Sequence, residues 1–195
     1  KWALAKAQEI NDITLQATAH AEKALIHSRC GESKDALDNQ VQAVKLHRQA
    51  GNRSAEGGCL GNLGISYRKQ GEYDKAQESY EQALAIHREV GNRPDQAIML
   101  NNLANLYKRE NRLQEARAYL QEAIEICDEC GNHRDRCIML GNLGDVYLHV
   151  DLLDKAQKYL ESSVELAVNV GLRGPEGAFN GSLGELFIKR GDFDR

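Results

Sequence analysis

A period of 40 residues constrains this chain more than any other feature of its sequence. Gly51-Asn52-Arg53 returns as Gly91-Asn92-Arg93, as Gly131-Asn132-His133, and more loosely as Gly171-Leu172-Arg173. The same shift carries Leu60, Leu63, Gly64 and Tyr67 onto Leu100, Leu103, Ala104 and Tyr107, then onto Leu140, Leu143, Gly144 and Tyr147. Leu183, Gly184 and Phe187 open another copy, while Ala36, Ala76, Ala116 and Ala156 superpose, as do Ala43, Ala83, Ala123 and Ser163. A repeat of this length is one supersecondary unit that cannot bury its apolar face alone, so successive units must stack and share a core.

Within a unit, Leu60, Leu63 and Tyr67 follow i, i+3, i+7 spacing, and Tyr73, Ala76, Tyr80, Ala83 and Leu84 resume it after a break. Both stretches are amphipathic helices. The breaks fall at Gly31, Gly71, Asn111, Asp151 and Gly191, residue types that accept the left-handed conformation ending a helix. Each unit is therefore helix A, a tight turn and helix B. Helix B closes at Gly51, Gly91, Gly131 or Gly171, and Pro94 and Pro175 fall near the start of the next helix A, where a missing amide donor costs nothing. With only two prolines and abundant Ala, Leu, Glu, Gln, Lys and Arg, the whole chain reads as all-α.

The Leu, Leu-Gly, Tyr, then Ala, Tyr and Ala of residues 60–83 resemble the tetratricopeptide repeat (TPR). The small residues have a physical purpose: Gly64 and Ala76 let helices A and B approach closely while Tyr67 and Tyr80 fill the space beside them. A HEAT or armadillo array has a similar period but does not predict this set of small and aromatic positions. The resemblance implies an α-α superhelix, a TPR solenoid of stacked antiparallel helix hairpins. The unit exceeds the usual 34 residues and looks like the long-repeat branch of kinesin light chains, spindle-orientation adaptors and bacterial signalling proteins. Leu100-Asn101-Asn102-Leu103-Ala104 carries that likeness. The expected organisation is a single array over residues 1–195, with helix B of a preceding repeat at 1–12, hairpins at 17–50, 57–90, 97–130 and 137–170, and a further repeat beginning at 177–195. In the 17–50 hairpin Lys23 and His27 replace the expected Leu and Tyr. Trp2-Ala3-Leu4-Ala5 with Glu9-Ile10 aligns with a helix B, and Gly191-Asp192-Phe193 begins another, so the chain reads as an excerpt of a longer array.

A net charge of −4 supplies no general attraction to nucleic acid or anionic lipid, so neither is an expected partner. No apolar run approaches the roughly 20 residues of a membrane span, and the first residues do not read as a signal peptide. Five cysteines without a dense disulfide spacing fit a reducing compartment, which places the chain in the cytoplasm.

In the TPR family helix A lines a concave groove, so the resemblance places ligand contacts on outward positions of helix A. Those positions read Thr18, Ala21, Leu25, Ser28 and Arg29; Gly58, Gly61, Ile65, Arg68 and Lys69; Ile98, Asn101, Asn105, Lys108 and Arg109; Ile138, Gly141, Asp145, Leu148 and His149; and Ala178, Gly181, Glu185, Ile188 and Lys189. Arg29, Lys69, Arg109, His149 and Lys189 share one repeat position near the end of helix A. They form either a basic stripe for an acidic segment, carboxylate or phosphate, or cations placed there by the helix dipole. Asn62, Asn102 and Asn142 form an amide series, with Asn101 and Asn105 beside the middle copy. Such amides either hydrogen-bond an extended peptide or bond to the neighbouring unit and set the stacking angle. Asn105 is the better candidate for ligand contact. The carboxylate clamp of chaperone-tail receptors is missing its lysines, since those positions read Gly61 and Ile65, Asn101 and Asn105, Gly141 and Asp145, and Gly181 and Glu185.

Cys127, Cys130, His133 and Cys137 have zinc-ligand chemistry, but Cys130 and Cys137 fall where other units use small or apolar residues, so no metal site is assigned. His47 and His87 share a helix B position with Cys127 and Ala167 and read as a surface or groove-edge site. No phosphate-binding loop, nucleophile elbow or distinctive carboxylate pair appears, so neither catalysis nor a cofactor is expected. The expected function is a non-enzymatic scaffold holding a protein or peptide segment in the helix A groove. The alternative is a ligand- or peptide-sensing segment of a larger signalling protein. Self-association through apolar faces such as Leu183 and Phe187 is a third reading.

Overall fold

A computed structural model of the chain describes residues 12–191. Among the described residues there are nine helices and no strand: α1 (Ile13–Arg29), α2 (Ser33–Gln49), α3 (Arg53–Lys69), α4 (Tyr73–Glu89), α5 (Arg93–Arg109), α6 (Leu113–Cys130), α7 (His133–His149), α8 (Leu153–Asn169) and α9 (Arg173–Arg190). Odd-numbered helices are helices A and even-numbered ones helices B, in the all-α fold class of stacked hairpins that the TPR resemblance implies. The segments expected at residues 1–11 and 192–195 lie outside the described residues.

The boundaries follow from local chemistry. Asn111 and Asp151 take the left-handed conformation at φ 60° and 54°, doing in two hairpins what Gly31 and Gly71 do in others. At three of the four described turns between hairpins, a left-handed Gly is followed by an asparagine cap, and at the fourth Leu172 follows Gly171. Asn52 Oδ1 accepts from the Ala55 amide at 3.2 Å, and Asn132 Oδ1 accepts from Asp135 at 3.2 Å. Asn92 and Asn132 also donate through Nδ2 to the Asp95 and Asp135 carboxylates, at 2.7 Å each. These caps open helix A at residues 53, 93 and 133, four residues ahead of the hairpin starts expected at 57, 97 and 137.

The described residues divide into two compact units, on either side of residue 95. In the first, α1 packs on α2, α2 on α3, and α3 on α4. Tyr80 is fully buried against Gly64, where a Cβ would lie 2.6 Å from two ring carbons. In the second, α6 packs on α7, α7 on α8 and α8 on α9. The Tyr107 and Tyr119 rings meet edge to face at 5.2 Å between α5 and α6, and Tyr147 stacks on Tyr159 at 5.3 Å between α7 and α8.

His47 and His87 are buried, at 3% and 1% exposure, and do not form the surface site read from the sequence. His87 fills space left by Gly57, whose added Cβ would sit 2.9 Å from the ring. Burial lowers both imidazole pKa values below the usual 6.5, against the opposing pull of Glu56 on His47 and of Asp95 on His87.

A charged contact spans the turn between hairpins in each unit. Glu56, fully buried, accepts from Arg48 at 2.6 Å and Arg53 at 2.7 Å, and Arg53 also pairs with Glu89. Two repeats later the signs reverse, with Asp128 and Arg136 2.5 Å apart at the positions of Arg48 and Glu56.

Candidate partner-binding site

Outward helix A positions behave differently in the two units. In residues 96–195 the seam between α5 and α7 is closed by its own polar side chains. Asn142 Nδ2 donates to Asn101 Oδ1 at 2.7 Å, and Lys108 Nζ pairs with Asp145 Oδ2 at 3.5 Å. His149 Nδ1 lies 2.9 Å from the Asp145 carbonyl, and Lys189 reaches Asp151 at 2.8 Å and the Leu148 carbonyl at 3.3 Å. Asn142 thus bonds to the helix A of the neighbouring hairpin. Hydrogen bonding to Asp151 also raises the Lys189 pKa.

Three positions read as outward are buried. Gly141 receives the Phe179 ring, which an added Cβ would meet at 2.2 Å, and Leu148 and Gly61 are buried as well. Interhelical packing in a superhelix takes the innermost part of the helix A face, so helical phase alone overcounts its outward residues. Asn102 carries a buried Nδ2 without a hydrogen-bond partner. Asn105, half-buried on α5, has no partner among the described residues. Glu185 and Lys189 are exposed on α9, while Leu183 and Phe187 are half-buried, less open than the apolar end face expected of them.

In residues 12–95 the seam is open. The positions two repeats back from the paired Asn101 and Asn142 are Ala21 and Asn62, and those two repeats back from Lys108 and Asp145 are Ser28 and Ile65. None of these couples can form a cross-seam hydrogen bond or ion pair between its side chains. A cleft of about 180 Å³ lies there, walled by Leu25 on α1 and by Asn62, Ile65, Ser66 and Lys69 on α3, with Gln40 and Ala43 of α2 among its lining. A second hollow of about 100 Å³ shares Ser28, Ser66 and Lys69 and continues to Ser33 and Ala36. Asn62 and Lys69 are exposed and without partners among the described residues.

Gln40 was missed by sequence reasoning. It occupies the repeat position of Tyr80, Leu120 and Leu160, all fully buried, and is itself 9% exposed. Its Oε1 is buried with no hydrogen-bond partner. A polar residue in a column of large apolar ones was the available signal. Cys59 also lines the cleft, and burial pushes its thiol up to about 11, which keeps it protonated at neutral pH.

The four residues with zinc-ligand chemistry are occupied otherwise or turned outward. Cys127 Sγ donates to Met139 Sδ at 3.5 Å, and Cys137 Sγ donates to the Ser163 carbonyl at 3.3 Å. Cys130 and His133 are exposed. A different cluster, His27, Glu32 and Asp35 at the α1–α2 turn, brings its ligand atoms within 4.8 Å, with both carboxylates exposed.

The family model described as tetratricopeptide repeat matches residues 15–89, 58–129 and 95–169, in overlapping stretches that follow the same repeat. The chain belongs to the tetratricopeptide repeat family. No curated protein matches the sequence of this TPR chain significantly. Among solved structures it resembles BtubC (BKLC) from P. vanneervenii, at 22% identity and TM-score 0.84, covering 98% of this chain and 81% of that one. It also resembles a signal transduction ATPase with a tetratricopeptide repeat sensor from Pyrococcus horikoshii, at 22% identity and TM-score 0.82, over 95% of this chain and 29% of that one. Aspartyl phosphate phosphatase F from Bacillus subtilis has 14% identity and TM-score 0.83, with 98% and 52% covered. At these identities the likeness is one of fold. Among the described residues of the TPR chain, no helix is long and apolar enough to cross a membrane.

Proposed function

We propose that this TPR chain is a non-enzymatic scaffold that binds a segment of a protein partner, and that in residues 12–95 the segment lies along the helix A face between α1 and α3. TPR folds are generally interaction scaffolds, and a repeat array offers surface rather than a reaction centre. The observation that carries the placement is the contrast between the two seams. Asn101, Asn142, Lys108 and Asp145 bond to one another across α5 and α7, whereas Asn62 and Lys69 border an open cleft without partners among the described residues. Side chains bonded to one another must give up that partner to take a ligand, whereas solvated ones beside a cleft exchange only water.

The reading is tested by comparing partner retention by the intact chain and two double variants of unchanged helicity. Asn62→Ala with Lys69→Ala should release a partner that Asn101→Ala with Lys108→Ala retains. The opposite order would move the site to the α5 and α7 face. Asn105→Ala with Arg109→Ala tests the remaining candidate on α5 in the same way.

A further inference from the structure

The turn between α1 and α2 differs from the later turns within hairpins in the sign of its chemistry. Tyr67, Tyr107 and Tyr147 share one repeat position near the end of helix A, and each has a cation over its ring: Lys75 at 5.4 Å from the centroid, Arg112 at 4.3 Å and Lys155 at 5.5 Å. In the second hairpin that lysine also pairs with Glu72 at 2.5 Å. The positions of Tyr67, Glu72 and Lys75 one repeat earlier hold His27, Glu32 and Asp35. The ring has become an imidazole, the lysine a carboxylate, and the glutamate has stayed. No lysine or arginine among the described residues pairs with Glu32 or Asp35, the sequence neighbours Arg29 and Lys34 included.

The three side chains converge. One ligating atom from each lies within 4.8 Å of the other two, and His27 Nδ1 contacts Glu32 Oε2. Around an ion with bonds of about 2.0–2.2 Å, ligand atoms lie about 3–3.5 Å apart, so no pair has to close by more than about 2 Å. Exposed carboxylates make such a movement by side-chain rotation. His27 is the more fixed member, with its side chain 22% exposed against 52% for Glu32. Glu32 makes no capping bond to α2, so its carboxylate is not held by the helix it precedes. The helix dipole accounts for an acid at residue 35, as it does for Glu115 at the same repeat position. It does not account for an imidazole in a column of aromatic rings beside two carboxylates. One imidazole nitrogen with two carboxylate oxygens is a donor set for a divalent first-row transition ion, whereas magnesium and calcium favour oxygen ligands throughout.

We propose that His27, Glu32 and Asp35 bind a divalent transition-metal ion that ties the end of α1 to the start of α2. The ion supplies at this turn the positive charge that Lys75, Arg112 and Lys155 supply at the later ones. Closure of the first hairpin is thereby coupled to metal supply, while the later hairpins carry their cations in the chain. None of the three ligands lines the α1–α3 cleft, so this site does not depend on the partner reading.

Manganese(II) is the probe, because the exposed thiols of Cys30 and Cys130 compete poorly for it and its paramagnetism reports position. Mn2+ is titrated into the 15N-labelled full chain while backbone amide signals are followed. Signals of residues 27–35 should broaden at a Mn2+ concentration at least ten-fold below that needed at Glu72 or at Glu110 and Glu115, the acidic residues of later turns. His27→Gln and Asp35→Asn should each weaken that response at least ten-fold. His27→Tyr with Asp35→Lys, which copies Tyr67 and Lys75, should abolish it while the helicity stays that of the parent. Mn2+ should raise the urea midpoint of the parent and leave that of the double variant unchanged. Broadening spread evenly over the acidic turns, or undiminished in His27→Gln, would mean adventitious carboxylate binding only and would overturn the proposal. An unchanged midpoint of the parent at saturating Mn2+ would overturn it as well.

Discussion

Gly64→Ala tests the packing logic of the repeat, because the chain contains its own control. A Cβ at residue 64 would lie 2.6 Å from Tyr80 Cδ1 and Cε1, whereas ordinary contact begins near 3.4 Å, so the ring must retreat by about 0.8 Å. Tyr80 is fully buried, which leaves no solvent side to yield into. Overpacking of this kind costs about 1–3 kcal/mol. Replacing a helical glycine by alanine returns about 0.5–1 kcal/mol. The expected net effect, taken between the middles of these ranges, is a loss of about 1 kcal/mol. One repeat later, Ala104 and Leu120 occupy the corresponding positions, both buried. Copying that pair as Gly64→Ala with Tyr80→Leu should therefore cost less than the sum of the single changes, with a coupling of about 1–3 kcal/mol. Urea unfolding of the four proteins, followed by far-UV circular dichroism, measures the cycle. Additive effects, or a single Gly64→Ala variant as stable as the parent, would refute the claim that the glycine is there to admit the tyrosine ring.

Acidification should destabilise the fold through His47 and His87. Above pH 6.5 both rings are neutral folded or unfolded; as the pH falls below it, the unfolded chain takes up protons that the folded chain resists, so stability declines towards the lowered folded-state values. Urea midpoints at pH 7.5 and 5.5 should show the drop, and His47→Leu with His87→Leu should shrink it. Glu56→Leu should be tolerated better than Arg48→Ala with Arg53→Ala, since the first frees two partly exposed guanidiniums to water and the second strands a buried carboxylate; unfolding midpoints rank the two. Asn142→Leu should cost about 1 kcal/mol by removing the cross-seam donor to Asn101, measured as a fall in thermal stability at constant helicity.

The period, both turn types and the helix inventory were legible in sequence because each depends on residues close together in the chain. Gly-Asn at the hairpin junctions carried a left-handed C-cap and an N-cap in two letters. What escaped was whatever depends on a partner about one repeat away. Asn142 and Asn101 meet at an offset of 41 residues, so columns aligned at 40 do not pair them. Lys108 and Asp145 meet at 37. Gly141 looked outward by helical phase until Phe179 filled the space above it. His47 and His87 looked superficial because their column also holds Cys127 and Ala167, yet Gly57 opens a recess for the second ring. The Gln40 anomaly was visible in its column, but its meaning required knowing that the oxygen is enclosed and unpaired.

Nearly interchangeable hairpins face a hazard that unlike domains do not: each can dock on the wrong neighbour. Arg48 with Glu56 and Asp128 with Arg136 place opposite polarities at equivalent junctions. If α2 docked against α7, two arginines would meet; if α6 docked against α3, Asp128 would face a carboxylate with no access to water. Like charges in such positions penalise the mistake. Opposite polarity in these two residue pairs therefore disfavours an exchange of partners between the two junctions.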